Sequence, residues 1–423
     1  MPPAAPEYAV PTGLPPAVGG GVPVGRTLGV VAVVLALVAA GLVGWQFLRP
    51  RGGADSPEEA VRSFLDAAVH QDVLGALDLV NPAEVEGLDD LVAATRERLS
   101  DEGLTARDGD LTDALSVSVE DLEFETDELG DAAARVVLSG GSYTVTYDPG
   151  ELPDRLGFVA EKYPDAETWT GDLLEDIGWE LPDVDYRNDR PEPFVSAVEI
   201  DGRWYVSAVG TFVDAYLGVP NSDELRDEGI RPPDYDAIVA DGEPIVAEEP
   251  EDVLDNLADA ASHEDVAELL AQFPADQVAM LRPWAITIED ALADDGVTFD
   301  VSLDGVDTSV EELGGDMVRL RIREGSVYGS YEESDGGYGS GSANVDGRCV
   351  SATDDDGDEE GYCLEGGDAE DLGIDSVYLV LRIVDGGYQI DPIATAVDYA
   401  SSVIESVPSR LIGDALKEIE ENT

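Results

Sequence analysis

PEEAVRSFLDAAVHQDVLGALDL, residues 57–79, returns as PEDVLDNLADAASHEDVAELLAQ, residues 250–272. Set against each other without a gap, Pro57 falls on Pro250, His70 on His263 and Asp72 on Asp265. The register continues through Val85 and Val278, Leu88 and Leu281, Gly103 and Gly296, and Thr105 and Thr298. After a short insertion in the first copy a second constant register takes over. It aligns Leu129 with Leu313, Arg135 with Arg319, Asp201-Gly202 with Asp385-Gly386, Trp204 with Tyr388, and Val213-Asp214 with Val397-Asp398. Registers held over such lengths make the chain a tandem duplication of one domain.

The first copy opens on a helix: Ser56 or Asp55 caps it, Pro57 takes its first position, and Val61, Phe64, Leu65 and Ala68 form one apolar face. His70-Gln71-Asp72 marks a turn. Leu74, Leu77 and Val80 continue on a second short helix that stops at Asn81-Pro82, and Val85, Leu88, Leu91, Val92 and Leu99 make a third, ending at Gly103. The period then changes to two. Val117, Val119 and Leu122 alternate, as do Ala134, Val136 and Leu138, with Tyr143, Val145 and Tyr147 extending the run. Val195, Ala197, Val198 and Ile200 lead to an Asp201-Gly202 hairpin, with Arg203 to Val209 as the return strand. Helices followed by an antiparallel meander predict an α+β unit.

Helices of the type PEEAVRSFLDAAVHQDVLGALDLV, followed by strands closing with VEIDGRWYV, resemble the NTF2-like (cystatin-like α+β) superfamily. The second copy matches with PEDVLDNLADAASHEDVAELL and LRIVDGGYQI. The resemblance covers 57–217 and 250–404, and it is similar in layout to envelope-associated members that follow a single membrane anchor. It implies a curved sheet wrapped around a helix as a cone, whose mouth holds a ligand or is plugged by side chains. Members include enzymes, binding proteins and docking modules, so the fold alone does not assign an activity.

Lys and Arg total 23 against 93 Asp and Glu, a net charge of −70. Lys162 and Lys417 are the only lysines, and Glu7 is the only acid before residue 51. So negative a surface repels nucleic acid and anionic membrane, which sets those partners aside. Solubility in a salty medium accounts for it, counterions screening the repulsion within about 3 Å at 1 M salt.

Residues 1–26 read as a disordered Pro/Gly-rich tail. Residues 27–48 (TLGVVAVVLALVAAGLVGWQFL) carry no charge and suffice to cross a bilayer core of ~30 Å, with Trp45 and Phe47 at the interface. The long, weakly basic stretch ahead of this run, and its length, favour a permanent single-pass transmembrane helix over a cleaved signal. Arg26 before the span and Arg49 and Arg51 after it weigh mildly against export. Cys349 and Cys363 weigh for it, because they share one short loop whose closure as a disulfide belongs outside the cytosol. The bulk of the chain is therefore expected to be extracytoplasmic.

Both copies carry a segment between their central strands. The first contains Phe158, Tyr163, Trp169 and Trp179 and is expected to pack locally; the second is Gly- and Asp-rich and reads as a mobile loop held by its cysteines. Residues 218–249 read as an acidic linker, and 405–423 as a C-terminal helix.

His70 and His263 each end a first helix, where an imidazole near the C-terminal carbonyls is favourable for structural reasons. Asp354, Asp355, Asp356, Asp358, Glu359 and Glu360 offer hard oxygens for calcium, but the glycine an EF-hand loop needs is replaced by Glu359, leaving a solvated acidic loop. Tyr143, Trp204 and Tyr388 are candidate ligand-binding residues if the concave face lines a pocket, and core residues otherwise. The chain has no G-x-S-x-G, Walker, dinucleotide-binding, H-E-x-x-H or C-x-x-C motif. No catalytic residue, metal site or cofactor is assigned. The expectation is a non-enzymatic interaction or ligand-binding module, its partner an envelope protein or a small hydrophobic ligand. The alternative is an enzyme of the same fold, an isomerase, cyclase or hydrolase acting on a small hydrophobic substrate.

Overall fold

A computed structural model describes residues 52–104, 114–176, 193–218, 229–239, 244–263, 265–332, 337–353, 359–363, 374, 376–413 and 417. The tail, the apolar span at 27–48, Trp179 and the acidic stretch at Asp354–Asp358 lie outside these residues. Among the described residues no helix is long and apolar enough to cross a membrane.

The first unit begins with α1 (Pro57–Val69), α2 (Val73–Leu77) and α3 (Leu88–Asp101). Ser56 caps α1 by accepting from the Glu59 N–H, and Asp72 caps α2 by accepting from Gly75 at 2.9 Å. A long hairpin follows, β1 (Leu115–Gly130) with β2 (Ala133–Tyr147). Short helices α4 (Gly157–Lys162) and α5 (Leu173–Asp176) flank β3 (Glu167–Asp172), which pairs with the far half of β2. The near half of β2 pairs with β4 (Phe194–Ile200), and β4 with β5 (Arg203–Ser207). Helix α6 (Ala208–Val213) and a π-helical turn at Asp214–Gly218 end the unit.

The second unit repeats this order. Helices α7 (Asp252–Ser262), α8 (Val266–Ala271) and α9 (Arg282–Asp295) precede the hairpin of β6 (Thr298–Gly314) and β7 (Met317–Glu332). On the far half of β7 lie β8 (Tyr338–Asp346), then β9 (Cys349–Thr353) and β10 (Glu359–Cys363). On its near half lies β11 (Val377–Val384), followed by β12 (Gly387–Ile390) and α10 (Pro392–Ser406). Both sheets are antiparallel, and the near-half path β1-β2-β4-β5 corresponds to β6-β7-β11-β12. The expected hairpins close both copies: Asp201 and Gly202 have φ of 52° and 77°, Asp385 and Gly386 of 52° and 86°, as a tight hairpin turn requires.

Both sheets curve at matched places. The β1–β2 register shifts between Glu120 and Glu123, and the β6–β7 register between Asp304 and Asp307. Asp121 and Gly305 there take positive φ, 55° and 63°. A bulge of this kind bends the strand and resets its alternation. In β1, Val117 and Val119 turn inward before it, and Leu122 and Phe124 after it. Gly141 lies opposite the first bulge, where a Cβ would come 2.8 Å from Leu173 Cδ1 and 3.0 Å from Leu122 Cδ2. The bend closes each near half over its first helix. Val61 packs with Val136 and Val206 in the first unit, and Val253 with Leu320 and Ile390 in the second.

Several segments depart from the sequence reading. The strand expected to run to Val209 stops at Ser207, because Ser207 caps α6 and Glu84 accepts from the Ala208 and Val209 N–H groups. Within the expected mobile loop of the second copy the described residues include β8, β9 and β10, with Cys349 directly opposite Cys363 in a cross-strand disulfide. Pairing of β8 to β7, β9 to β8 and β10 to β9 supplies the order that its composition does not. The terminal helix starts at Pro392, is interrupted at Val407-Pro408, and resumes at 409. The acidic linker is partly interior: Ile230, Tyr235, Ile238 and Ala247 are buried. Tyr235 and Ile238 pack with Ala133, Val198 and Met280, which joins the near end of the first sheet to the second unit. Across the same joint α10 packs on α3, Arg382 pairs with Glu86, and Trp284 donates to Asp214 at 3.2 Å.

Candidate functional site

Trp204 and Tyr388 occupy equivalent places. Each last strand is paired by the segment that leads into its own unit, Ala54 with Trp204 and Ala247 with Tyr388, through reciprocal backbone bonds of 2.8–2.9 Å. Both side chains are half-buried, and Tyr388 packs against the core of its unit. Tyr143 sits elsewhere, opposite Val119 and Gly171 on the far half of β2. Trp204 pairs with Glu199, whose N–H bonds to Ala132. From Ala132 to Tyr143 the chain runs up to about 36 Å of strand. The three aromatics are therefore not gathered into one site.

The histidines are also local. His70 Nδ1 lies 2.8 Å from the Asp66 carbonyl, and His263 lies near Asp259 and Glu268, with both imidazoles largely exposed. Among the described residues no group of His, Cys, Asp and Glu is arranged to hold a metal ion.

Matched Arg and Asp positions form the interior polar networks. Arg319 lies 4.6 Å over the Tyr378 ring and bonds to Asp398 at 2.6 and 3.0 Å. Its counterpart Arg135 lies 4.8 Å over Phe194 and 3.8 Å from Asp214. Asp214 accepts from Ser196 at 2.6 Å, Tyr235 at 2.7 Å and Trp284 at 3.2 Å, which satisfies a buried carboxylate. Burial and the facing Asp214 carboxylate push the Tyr235 phenol far up, so it stays a donor. The remaining buried carboxylates are likewise engaged. Glu84 accepts from Asn81, Ser207 and Ala208; Glu102 from Arg155 and Ser409; Asp391 from Gln277, Arg382 and Ala394. The Ser409 and Arg155 hydrogen bonds hold the Glu102 carboxyl below its ordinary range.

A cavity of about 340 Å³ lies on the far half of the second sheet. Alternation brings one face of four strands to it. Asp300, Ser330 and Ser340 form one row across β6, β7 and β8, and Tyr328, Ser342 and Thr353 a second across β7, β8 and β9. Tyr338 lies at the next level of β8, opposite Glu332. Tyr328 is 47% exposed and Tyr338 65%, so neither ring serves the core. At the matched face of the first unit, Thr144 and Thr146 face Thr170 and Thr168 at 3.2 and 3.4 Å. Sequence reading missed this site by treating the segment as a loop. The signal was present as a period of two, Tyr328-x-Ser330 and Tyr338-x-Ser340-x-Ser342.

No family model matches the chain, and no curated protein or solved structure matches it.

Proposed function

We propose that this chain is a tandem pair of NTF2-like units, anchored by the apolar span at 27–48, held outside the cytosol, and acting as a non-enzymatic binding module. The groove between Tyr328 and Tyr338 is its working surface. The observation that carries a binding role is that groove: about 340 Å³ lined by two exposed tyrosines and a set of hydroxyls that take no part in the core. The engaged state of Glu84, Glu102, Asp214 and Asp391 supports a non-catalytic interior, since each carboxylate is held by structural donors. The helix lying within the bent half of each sheet supports the NTF2-like reading, and the Cys349–Cys363 bond supports export. A lining of hydroxyls favours a polar ligand over a hydrophobic one.

The test of placement uses cells making the full chain. A membrane-impermeant maleimide is applied before and after an impermeant reductant, and the membranes are then washed with carbonate. The expected result is labelling of intact cells only after reduction, on protein that stays with the membrane. Labelling without reductant, or only after lysis, or release into the wash contradicts the reading.

A further inference from the structure

We propose that the groove on the second sheet binds a short neutral glycan, an inference that rests on the binding-module reading above and names its ligand class. The chemistry follows from what lines the groove and what does not. Its floor presents Ser330 and Ser340 side by side, with Asp300 in the same row. Hydroxyls both donate and accept, and a carboxylate accepts, which suits a ligand that carries alternating hydroxyl donors and acceptors. Rows of adjacent strands are ~4.8 Å apart, so these groups repeat at close intervals across the floor.

The two tyrosines supply the other half of the recognition. Tyr328 stands beside Ser342, and Tyr338 stands beside Glu332, four residues further along β7. That offset spreads the rings over roughly 13 Å of strand. An exposed tyrosine offers a flat apolar face and a polar tip, the combination that stacks on the C–H face of a sugar ring while hydrogen-bonding its edge. Two such faces separated by a hydroxyl floor match a chain of a few linked rings. The volume sits at the lower end of small-ligand sites.

Charge narrows the class further. Among the described residues no Lys or Arg lines the groove, Asp300 lies in it, and the chain carries −70 overall. Uronates, sialylated glycans and phosphorylated ligands are repelled by that field. Gly329, Gly339 and Gly341 alternate to the opposite face, where a Cβ at Gly339 would fall 2.4 Å from the Tyr331 ring.

The test uses the full chain in lipid nanodiscs free of sugar-headed detergent, titrated calorimetrically with maltotetraose, cellotetraose, chitotetraose and mannotetraose. Tetragalacturonate and tetra-arginine serve as charged counterparts. At least one neutral tetrasaccharide is expected to bind and tetragalacturonate is not. Tyr338→Ala and Tyr328→Ala are each expected to weaken binding about tenfold, the loss of one aromatic contact, with Tyr338→Phe close to the parent. Thr146→Ala in the first unit is expected to leave binding unchanged. Melting curves establish that each variant is folded, and Ser340→Ala provides a milder change on the floor that also weakens binding. Absence of binding by all four neutral probes overturns the proposal. So does binding that the two tyrosine substitutions leave unchanged, or binding of tetra-arginine in place of sugar. Chain-length analysis of the recovered sugar separates the two readings: cleavage overturns the non-enzymatic module while leaving the groove assignment standing.

Discussion

Gln277 donates to Asp391 at 2.9 Å in the second unit, where the first unit has Glu84 accepting from Ser207 at 2.6 Å. The positions match, the hydrogen bond is kept, and donor and acceptor have changed ends. A buried polar pair survives such an exchange only if both partners change together. In each unit the bond ties the segment before the third helix to the cap of the helix that follows the last strand.

Gln277→Glu places two carboxylates face to face, one of them on the fully buried Asp391, and is expected to destabilise the chain by about 3 kcal/mol. Gln277→Glu combined with Asp391→Ser recreates the first-unit pair and is expected to recover most of that loss, though Arg382 then lacks one partner. Chemical denaturation of the parent, both single variants and the double variant measures the coupling. Additive losses contradict the exchange.

A second exchange concerns size. Gly53 lies against Arg203 in the first unit, and at the matched positions Val246 lies against Gly387 in the second. A Cβ at Gly387 would fall 2.7 Å from Val246 Cγ2 and 2.8 Å from the Ala247 carbonyl. Gly387→Ala is therefore expected to lower stability by roughly 2 kcal/mol, the usual range for overpacking. Adding Val246→Gly relieves the side-chain part of the clash. Melting temperatures of the two variants test this; equal losses would show that Val246 is not the obstacle.

Arg231 and Asp290 join the former linker to α9, and Arg231's hydrogen bonds hold the Asp290 carboxyl down to about 2. A depressed carboxyl contributes stability above its ordinary value near 3.8, and that contribution is lost as the pH falls from there through about 2. Arg231→Ala is expected to return Asp290 toward its ordinary value, read from the side-chain carboxyl carbon by NMR titration. An unchanged midpoint in the variant contradicts the pairing.

Like-charge repulsion across a surface of −70 opposes the folded state. Sodium chloride raised from 0.1 to about 1 M shortens the screening length from about 10 to 3 Å and is expected to raise the melting temperature. Potassium chloride is expected to act equally. A flat response to both, with a sharp response to micromolar calcium, contradicts screening and points to a dedicated cation site.

Local signals carried the helices and hairpins into view, because caps such as Ser56 and Asp72 and the Asp-Gly turns act within a few residues. What escaped was set by distant partners. Residues 338–346 are poor in strand-forming types, and they are strands because β7 is long enough to pair with them. Tyr235 lies within the stretch whose composition reads as an acidic linker, and it is buried because Ala133, Val198 and Asp214 give it a place. Tyr143 was read correctly as a strand residue, but the length of β2 separates it from Trp204. The tyrosine groove needed four strands in register, and no single stretch of sequence holds that information.

The groove proposed as the working surface of the second unit has an internal control in the matched face of the first. Hydrogen–deuterium exchange on the full chain, with and without the tetrasaccharide that binds, compares segments 326–332 and 338–346 with their first-unit counterparts 142–147 and 167–172. The expected result is slowed exchange in the second-unit segments and none in the first. Equal protection of both units, protection confined to the last strands at 203–207 and 387–390, or no protection would contradict it.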